Sequence, residues 1–204
     1  VINFTTENIV TSTKTYTAQE YTCRIAGILA GLPFSRSATY YELPEVTDVT
    51  VYDDPDAAID GGELILINDG EKIKIGRGVN SLTTVTADMK QSWKKIKIVD
   101  VMDLILDDIR DTFNESYVGK VQNTTDNQYL FITAVRAYFQ GLANQSILEP
   151  AFNNTASIDV AAQRLAWESI GTDTTALDDQ QVREMSFGSE VFLAGQVKIT
   201  DAME

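Results

Sequence analysis

A mixed α+β fold follows from three features of this 204-residue sequence. Two β-rich runs, Glu63-Leu-Ile-Leu-Ile67 and Glu71-Lys-Ile-Lys-Ile75, flank the turn Asn68-Asp69-Gly70. Two long stretches carry apolar residues at helical spacing, and both ends of the chain read as strands. Together they predict a β-sheet with a hairpin and terminal strands, packed against two long and several short helices.

The elements follow in order. Val1 to Phe4 reads as a short strand, and residues 5–16, rich in Thr and Ser, as a loop. Thr17-Ala-Gln-Glu20 matches a capping box, in which hydroxyl and carboxylate satisfy free backbone donors at a helix start. A helix is expected from Ala18 to about Ala30, ended by Gly31 and Pro33. Ala38 to Leu43 reads as extended. Asp53, Asp54, Pro55 and Asp56 mark a turn into a short helix through Ile59, which Gly61-Gly62 stops. In the hairpin, Lys72, Ile73, Lys74 and Ile75 alternate, so one face is wet and the other dry.

Lys94 to Val99 repeats that alternation and reads as a further strand. Asp100 is expected to cap a long helix to about Ser116. Met102, Leu106, Ile109 and Phe113 line one side of it, and Asp103, Asp107 and Asp111 another. Residues 124–144 read as a second long helix, whose run from Tyr129 to Val135 is apolar nearly all round and predicts burial between layers. Ser157-Ile158-Asp159 opens a helix over 160–169, ended at Gly171. A short helix over about Asp178 to Met185 is stopped by Gly188. Ser189 to Thr200 reads as a strand with Val191, Leu193, Gly195, Val197 and Ile199 on one face.

Composition narrows the function. The net charge of −14 repels phosphate backbones and anionic lipid surfaces, so neither nucleic acid nor membrane is an expected partner. No apolar run approaches the roughly 20 residues that span a bilayer. The chain begins at Val1 with no basic-then-apolar leader, which reads as an interior cut or a processed end. Five Asn-x-Ser/Thr sequons, at Asn3, Asn114, Asn123, Asn144 and Asn153, read as chance matches. The single cysteine, Cys23, cannot form an internal disulfide and is expected to be a small buried apolar residue.

Histidine is absent, which removes Ser-His-Asp triads, Cys-His pairs and His-ligated zinc. Gly76-Arg-Gly78 lacks the third glycine of a dinucleotide fingerprint. No cofactor or metal is expected. Carboxylates are the remaining catalytic currency, in Asp53/Asp54/Asp56, Asp107/Asp108/Asp111 and Asp178/Asp179. Paired carboxylates can hydrolyse glycosides or bind magnesium or calcium. The simpler reading gives each cluster a helix start or a solvated helix face. A carboxylate-dependent hydrolase and a stand-alone α/β binding module are therefore the alternatives to a structural role.

Several stretches carry a resemblance. They include Ile2-Asn-Phe-Thr-Thr6, Tyr16-Thr-Ala-Gln-Glu-Tyr21, Arg24-Ile-Ala-Gly-Ile-Leu-Ala-Gly-Leu-Pro33 and Ser37-Ala-Thr-Tyr40. Gly62-Glu-Leu-Ile-Leu-Ile67, Arg77-Gly-Val-Asn-Ser-Leu-Thr83, Lys95-Ile-Lys-Ile-Val-Asp100 and Asp108-Ile-Arg110 continue it. Tyr117-Val-Gly-Lys-Val121, Gly188-Ser-Glu-Val-Phe-Leu193 and Asp201-Ala-Met-Glu204 complete it. In this collinear order the chain resembles the C-terminal half of contractile tail sheath proteins of Gram-positive phages and phage-tail-like bacteriocins of the diffocin type.

The resemblance implies a structural subunit and no enzyme. Such proteins form six-membered rings, stacked helically around a tail tube, and contraction drives the tube through a target cell envelope. Their C-terminal domain faces the tube, and terminal arms add strands to a neighbour's sheet. The family's N-terminal outer domain and extreme C-terminal arm are then expected to be missing from residues 1–204. The implied partners are neighbouring sheath subunits, the tube protein, the baseplate and the tail terminator. The implied location is a virion or tail-like particle assembled in the bacterial cytoplasm. Ile2, Phe4, Val191, Leu193, Val197 and Ile199 are the expected inter-subunit strand contacts. Lys72, Lys74, Lys94, Lys95 and Lys97 are expected to meet acidic faces such as Asp103/Asp107 on a neighbour.

Overall fold

The computed structural model describes residues 1–87 and 89–203. The chain divides into two compact units, Val1–Leu104 with the residues from Asp201 onward, and Ile105–Thr200. The α+β class holds, in small sheets of two or three strands rather than one large sheet.

The first unit opens with β1 (Asn3–Phe4), β2 (Ile9–Thr11), β3 (Thr15–Tyr16) and helix α1 (Ala18–Gly31). The capping box forms: the Glu20 amide donates to Thr17 Oγ1 and the Thr17 amide to Glu20 Oε2. Residues 5–16 are thus no simple loop. Thr and Val suit a pleated surface, so a Thr-rich stretch serves here as two short strands. β4 (Val46–Asp48) completes an antiparallel sheet in the order β3-β2-β4. α2 (Pro55–Asp60) follows, with Asp54 Oδ1 capping the Ala57 amide at 3.0 Å.

The long apolar run after Gly62 does two jobs. β5 (Glu63–Leu64) pairs in parallel with β1, placing Asn3 opposite Glu63 and Phe4 opposite Leu64. β6 (Leu66–Asn68) pairs antiparallel with β7 (Ile73–Ile75), which is the expected hairpin with shorter strands and its turn over residues 69–72 rather than at Asn68-Asp69-Gly70. Ile9, Leu43, Leu64, Leu66 and Ile75 are fully buried against Tyr21, Ile25 and Ile28 of α1. Each such side chain contributes roughly 1.5–3 kcal/mol through its burial.

Three further expectations fail in this unit. Ala38 to Leu43 is not extended throughout, since residues 38–40 turn, with Tyr40 at φ +56°. Cys23 is exposed, because the buried stripe of α1 runs Ala18, Tyr21, Ile25, Ile28 and Cys23 lies two residues, about 200° of helical rotation, past Tyr21. Lys94 to Val99 is not a strand. A 3₁₀ turn covers Gln91–Lys94, Lys95 bridges Val79, and α3 (Ile96–Ser116) starts four residues before Asp100. Four residues of Lys-Ile alternation, Lys95 to Ile98, fit either periodicity. Ile96, Lys97, Ile98 and Val101 are buried together around the first turns of a helix, so burial on several sides overrides the period-2 pattern.

The second unit contains the rest of α3, then α4 (Thr125–Asn144), β8 (Thr155–Ile158), α5 (Val160–Ser169), α6 (Asp179–Glu184) and β9 (Leu193–Gln196). β8 was not legible in the sequence, where Ser157-Ile158 read as part of a helix start. Only Asp159 caps, its Oδ1 accepting the Ala162 amide at 2.9 Å. β8 and β9 pair antiparallel from Thr155↔Gln196 to Ile158↔Leu193. α4 buries Phe131, Ile132, Val135, Phe139 and Leu142 on one side only. Leu130 on its outer side is 64% exposed, so α4 is not enclosed between layers, and Leu106 of α3 likewise faces out.

Gln163 on α5 ties the end of the unit together. Its Nε2 donates to the Val182 and Met185 carbonyls at 2.6 and 2.8 Å, and Trp167 Nε1 donates to the Met185 carbonyl at 2.9 Å. These bonds hold α5 to the C-terminal end of α6, where the Val182 carbonyl also accepts the Met185 amide.

Candidate assembly surfaces

Both terminal segments fold onto their own chain. At the N-terminus the Ser81 amide and hydroxyl donate to the Val1 carbonyl at 3.0 and 3.1 Å, and the Thr5 amide donates to Leu64. Buried Thr6 accepts the Leu66 amide on its hydroxyl at 2.8 Å. Phe4 packs against the core with its ring 6.5 Å from Tyr21, whereas Ile2 is exposed. Among the described residues, β1 pairs on one flank only.

The C-terminal segment is shorter as a strand than Ser189 to Thr200. β9 spans four residues, and Val191 lies before it. Beyond it, Ile199 bridges Leu148, the Glu149 amide donates to Lys198 O at 2.8 Å, and the Thr200 amide donates to Ile147 O at 2.9 Å. Leu193, Val197 and Ile199 are half-buried. β9 also pairs on one flank only among the described residues. Among the described residues, both terminal strands therefore pair within their own sheets on one side and have no strand partner on the other.

The lysines do not form a free cationic patch. Lys72 Nζ lies 2.8 Å from Glu42, Lys74 Nζ 2.7 Å from Asp69, and Lys95 Nζ 2.8 Å from Asp201. Lys97 is buried in the first turn of α3, and Lys94 is half-buried. Asp107 pairs with Arg110 at 2.9 Å, and Asp103 is exposed.

The hairpin tip carries a pronounced electrostatic feature. Asp69 Oδ2 accepts from Lys74, and Oδ1 accepts the backbone amides of Lys72 and Glu71. The Lys74 ammonium, then the two amides, hold the Asp69 carboxyl well below the usual carboxylate range. A lowered folded value means that this support is complete above the unfolded carboxylate pKa of about 3.9 and is lost as pH falls below it. Asp69→Asn is therefore expected to lower the urea midpoint at neutral pH, with the gap to wild type closing as pH drops below about 4. A gap that persists undiminished into acid would show that the carboxylate's charge is not what holds the turn.

The carboxylate clusters have structural occupations. Asp54 caps α2, and Asp178 forms a capping box with Gln181 at the start of α6. Asp179 pairs with Arg164, Asp107 and Asp111 flank Arg110, and Asp108 accepts from Tyr138 Oη at 2.6 Å. At Gly76 an added Cβ would press on Ile59, Ile65 and Ile67, so that glycine serves close packing rather than a phosphate cradle.

A further surface escaped the sequence reading. In the second unit, Phe113 near the end of α3 and Tyr117 just beyond it meet Phe131 of α4, with ring centroids 5.1 and 4.7 Å apart. Beside this aromatic cluster lies a groove of about 440 Å³, lined by Val118, Val121, Gln128 and Val191 among others. A smaller groove of about 230 Å³, lined by Ile109, Ala134 and Tyr138, adjoins it through Phe131. The available signal was charge depletion. Between Asp126 and Glu149 the sequence carries one charged residue, Arg136, whose Nε donates to the Ala156 carbonyl.

The site thus consists of carboxylates engaged as helix caps and ion-pair partners and of small sheets whose terminal strands pair on one flank among the described residues. Comparison with known proteins gives the family. Residues 88–204 match the model of the phage tail sheath C-terminal domain. Over its whole length the chain is 40% identical to the tail sheath protein of Clostridium phage phiCD119, of which it spans 57%. The fold matches the sheath tail protein of Desulfitobacterium hafniense with a TM-score of 0.67 at 24% identity, over 76% of this chain and 38% of that one. It matches the helical sheath of the anti-feeding prophage in its contracted state with a TM-score of 0.64 at 12% identity, over 100% of this chain and 53% of that one. The chain belongs to the phage tail sheath C-terminal domain family, a family of structural proteins rather than enzymes.

Proposed function

We propose that this chain is the inner, tube-side part of a contractile tail sheath subunit, which polymerises around a tail tube and contracts to drive it through a target envelope. The 40% identity to a phage tail sheath protein across the full chain carries this reading. The chain spans little more than half of that relative, so the outer domain and terminal arm fall to sequence beyond residues 1–204. Neighbouring subunits, the tube protein, the baseplate and the tail terminator are the proposed partners, within a particle assembled in the bacterial cytoplasm.

The mechanism is mechanical. Contraction is a rigid-body rearrangement of subunits that moves an extended assembly to one with more interface, while shared strands keep the lattice connected. The open flanks of β1 and β9 are the proposed places for a neighbour's strand, with Ile2, Phe4, Val191, Leu193, Val197 and Ile199 at or beside them. Lys94 and the exposed Asp103/Asp107 face remain the candidates for charged contact. Electron microscopy of the full sheath protein tests the reading. Tubes or stacked contracted rings are expected, and a protein that stays monomeric at high concentration refutes it.

A further inference from the structure

We propose that the exposed hairpin tip holds a latent covalent modification site, Asp69-Gly70, whose rearrangement to an isoaspartyl linkage is held back by the three donors that grip the Asp69 carboxylate. None of this chemistry depends on assembly, so it stands apart from the sheath reading.

The turn over residues 69–72 asks for this dipeptide on two counts. Gly70 has φ of +95°, in the left-handed region that residues with a side chain enter at a cost. Asp69 Oδ1 accepts the amides of Glu71 and Lys72 at 3.0 and 2.9 Å, and its Oδ2 accepts from Lys74 Nζ at 2.7 Å. The same dipeptide is chemically weak. Gly70 is exposed and has no side chain to shield its nitrogen, and a Cβ added there would meet no atom within 4 Å. That nitrogen can attack Cγ of Asp69. An N–Cγ bond forms, the amide proton and the carboxyl hydroxyl depart as one water, and a cyclic succinimide results. Water then adds to one of its carbonyls. It either restores aspartate or leaves the main chain running through Cγ as isoaspartate.

The fold opposes both halves of that attack. The Gly70 N–H, which must be given up, donates to Asn68 Oδ1 at 2.9 Å. The carboxyl must react as the acid, because a carboxylate is a poor electrophile and has no hydroxyl to expel. Lys74 first, and then the two amides, keep it ionised by stabilising its charged form. Lys74 is itself well placed: it sits opposite Ile67 in the hairpin ladder, and its ammonium lies 4.3 Å from the centroid of the Tyr40 ring. Lys72 turns its side chain to Glu42 instead and gives Asp69 only its backbone amide. The charged part of the protection therefore runs through Lys74, and one substitution removes it. The sequence supplies a control in a second Asp-Gly pair, Asp60-Gly61 at the end of α2, where the Gly61 amide donates to the Ala57 carbonyl at 2.9 Å.

The test ages the full sheath protein at mildly acidic pH as wild type, Lys74→Met and Lys74→Arg, with wild type unfolded in guanidinium chloride as the unprotected reference. Peptide mapping with fragmentation that separates the two linkages counts isoaspartate at Asp69 and at Asp60. Folded wild type is expected to rearrange at Asp69 more slowly than the unfolded chain by on the order of tenfold or more, since each unit by which a carboxyl pKa is lowered removes about nine-tenths of its acid form. Lys74→Met is expected to speed the reaction at Asp69 by on the order of tenfold and to leave Asp60 unchanged. Lys74→Arg keeps a cation on the carboxylate and is expected to stay within about twofold of wild type. Folded wild type reacting as fast as the unfolded chain, or Lys74→Met reacting no faster than wild type, overturns the proposal. So does a rise in Lys74→Met that appears equally at Asp60, or that comes with faster amide exchange across Leu66–Asn68 and Ile73–Ile75, because opening of the chain and not loss of the cation would then set the rate.

Discussion

Gly62→Val is expected to cost about 3 kcal/mol and to unseat the N-terminal strand. Gly62 has φ of +80°, a left-handed conformation that a β-branched residue adopts at a penalty of roughly 1–2 kcal/mol. A Cβ there would also lie 3.0 Å from Ser81 Cα and 3.1 Å from its carbonyl carbon. Those are backbone atoms, which cannot swing aside as a side-chain tip can. Ser81 is also the residue whose amide and hydroxyl hold the Val1 carbonyl, so pushing it away releases the start of the chain. Urea denaturation measures the loss. Gly62→Asn separates the two causes, since asparagine tolerates the left-handed region but still carries the colliding Cβ. An unchanged midpoint for both variants would disprove the account.

The second large effect is expected at Gly195, in β9. Here the backbone is ordinary and the obstacle is proximity alone: a Cβ would lie 2.8 Å from the Thr155 carbonyl oxygen across the sheet. β8 and β9 must separate locally to admit it. Gly195→Val is expected to destabilise by about 2–3 kcal/mol and to speed amide exchange through residues 155–158 and 193–196. Gln196→Val, one residue along on an exposed position, is expected to be neutral or mildly stabilising because valine favours strands. Equal exchange rates in wild type and Gly195→Val would refute the contact.

Local signals in the sequence located most elements. The capping box at Thr17, the Asp54 and Asp159 caps, the hairpin turn around Asp69-Gly70 and the two long helices all rest on interactions within a few residues of one another. What stayed hidden depends on distant partners. Thr155–Ile158 is a strand only because Leu193–Gln196 lies beside it, and Glu63–Leu64 leaves the hairpin because Asn3–Phe4 takes its edge. Lys95 to Ile98 alternates like a strand but is recruited into a helix whose first turn is buried on several sides. The candidate contacts divide in the same way. That the two ends are β-type was readable, but their pairing inside the chain was not.

The ion pairs at the hairpin tip and elsewhere bear on the solution behaviour of an array. At least seven of the 16 cationic side chains are already bound to carboxylates of their own chain: Lys14, Arg24, Lys72, Lys74, Lys95, Arg110 and Arg164. The field leaving each molecule is correspondingly one-signed. Stacking copies side by side then gathers a dense counterion atmosphere, and dissolved electrolyte becomes a component of the assembly. With a screening length of about 10 Å at 0.1 M, added salt dampens repulsion between neighbours far more than it weakens apolar contact. Polymerisation is expected to be favoured as sodium chloride rises from about 0.01 to 0.1 M, the opposite of what an interface held by cross-subunit ion pairs would do.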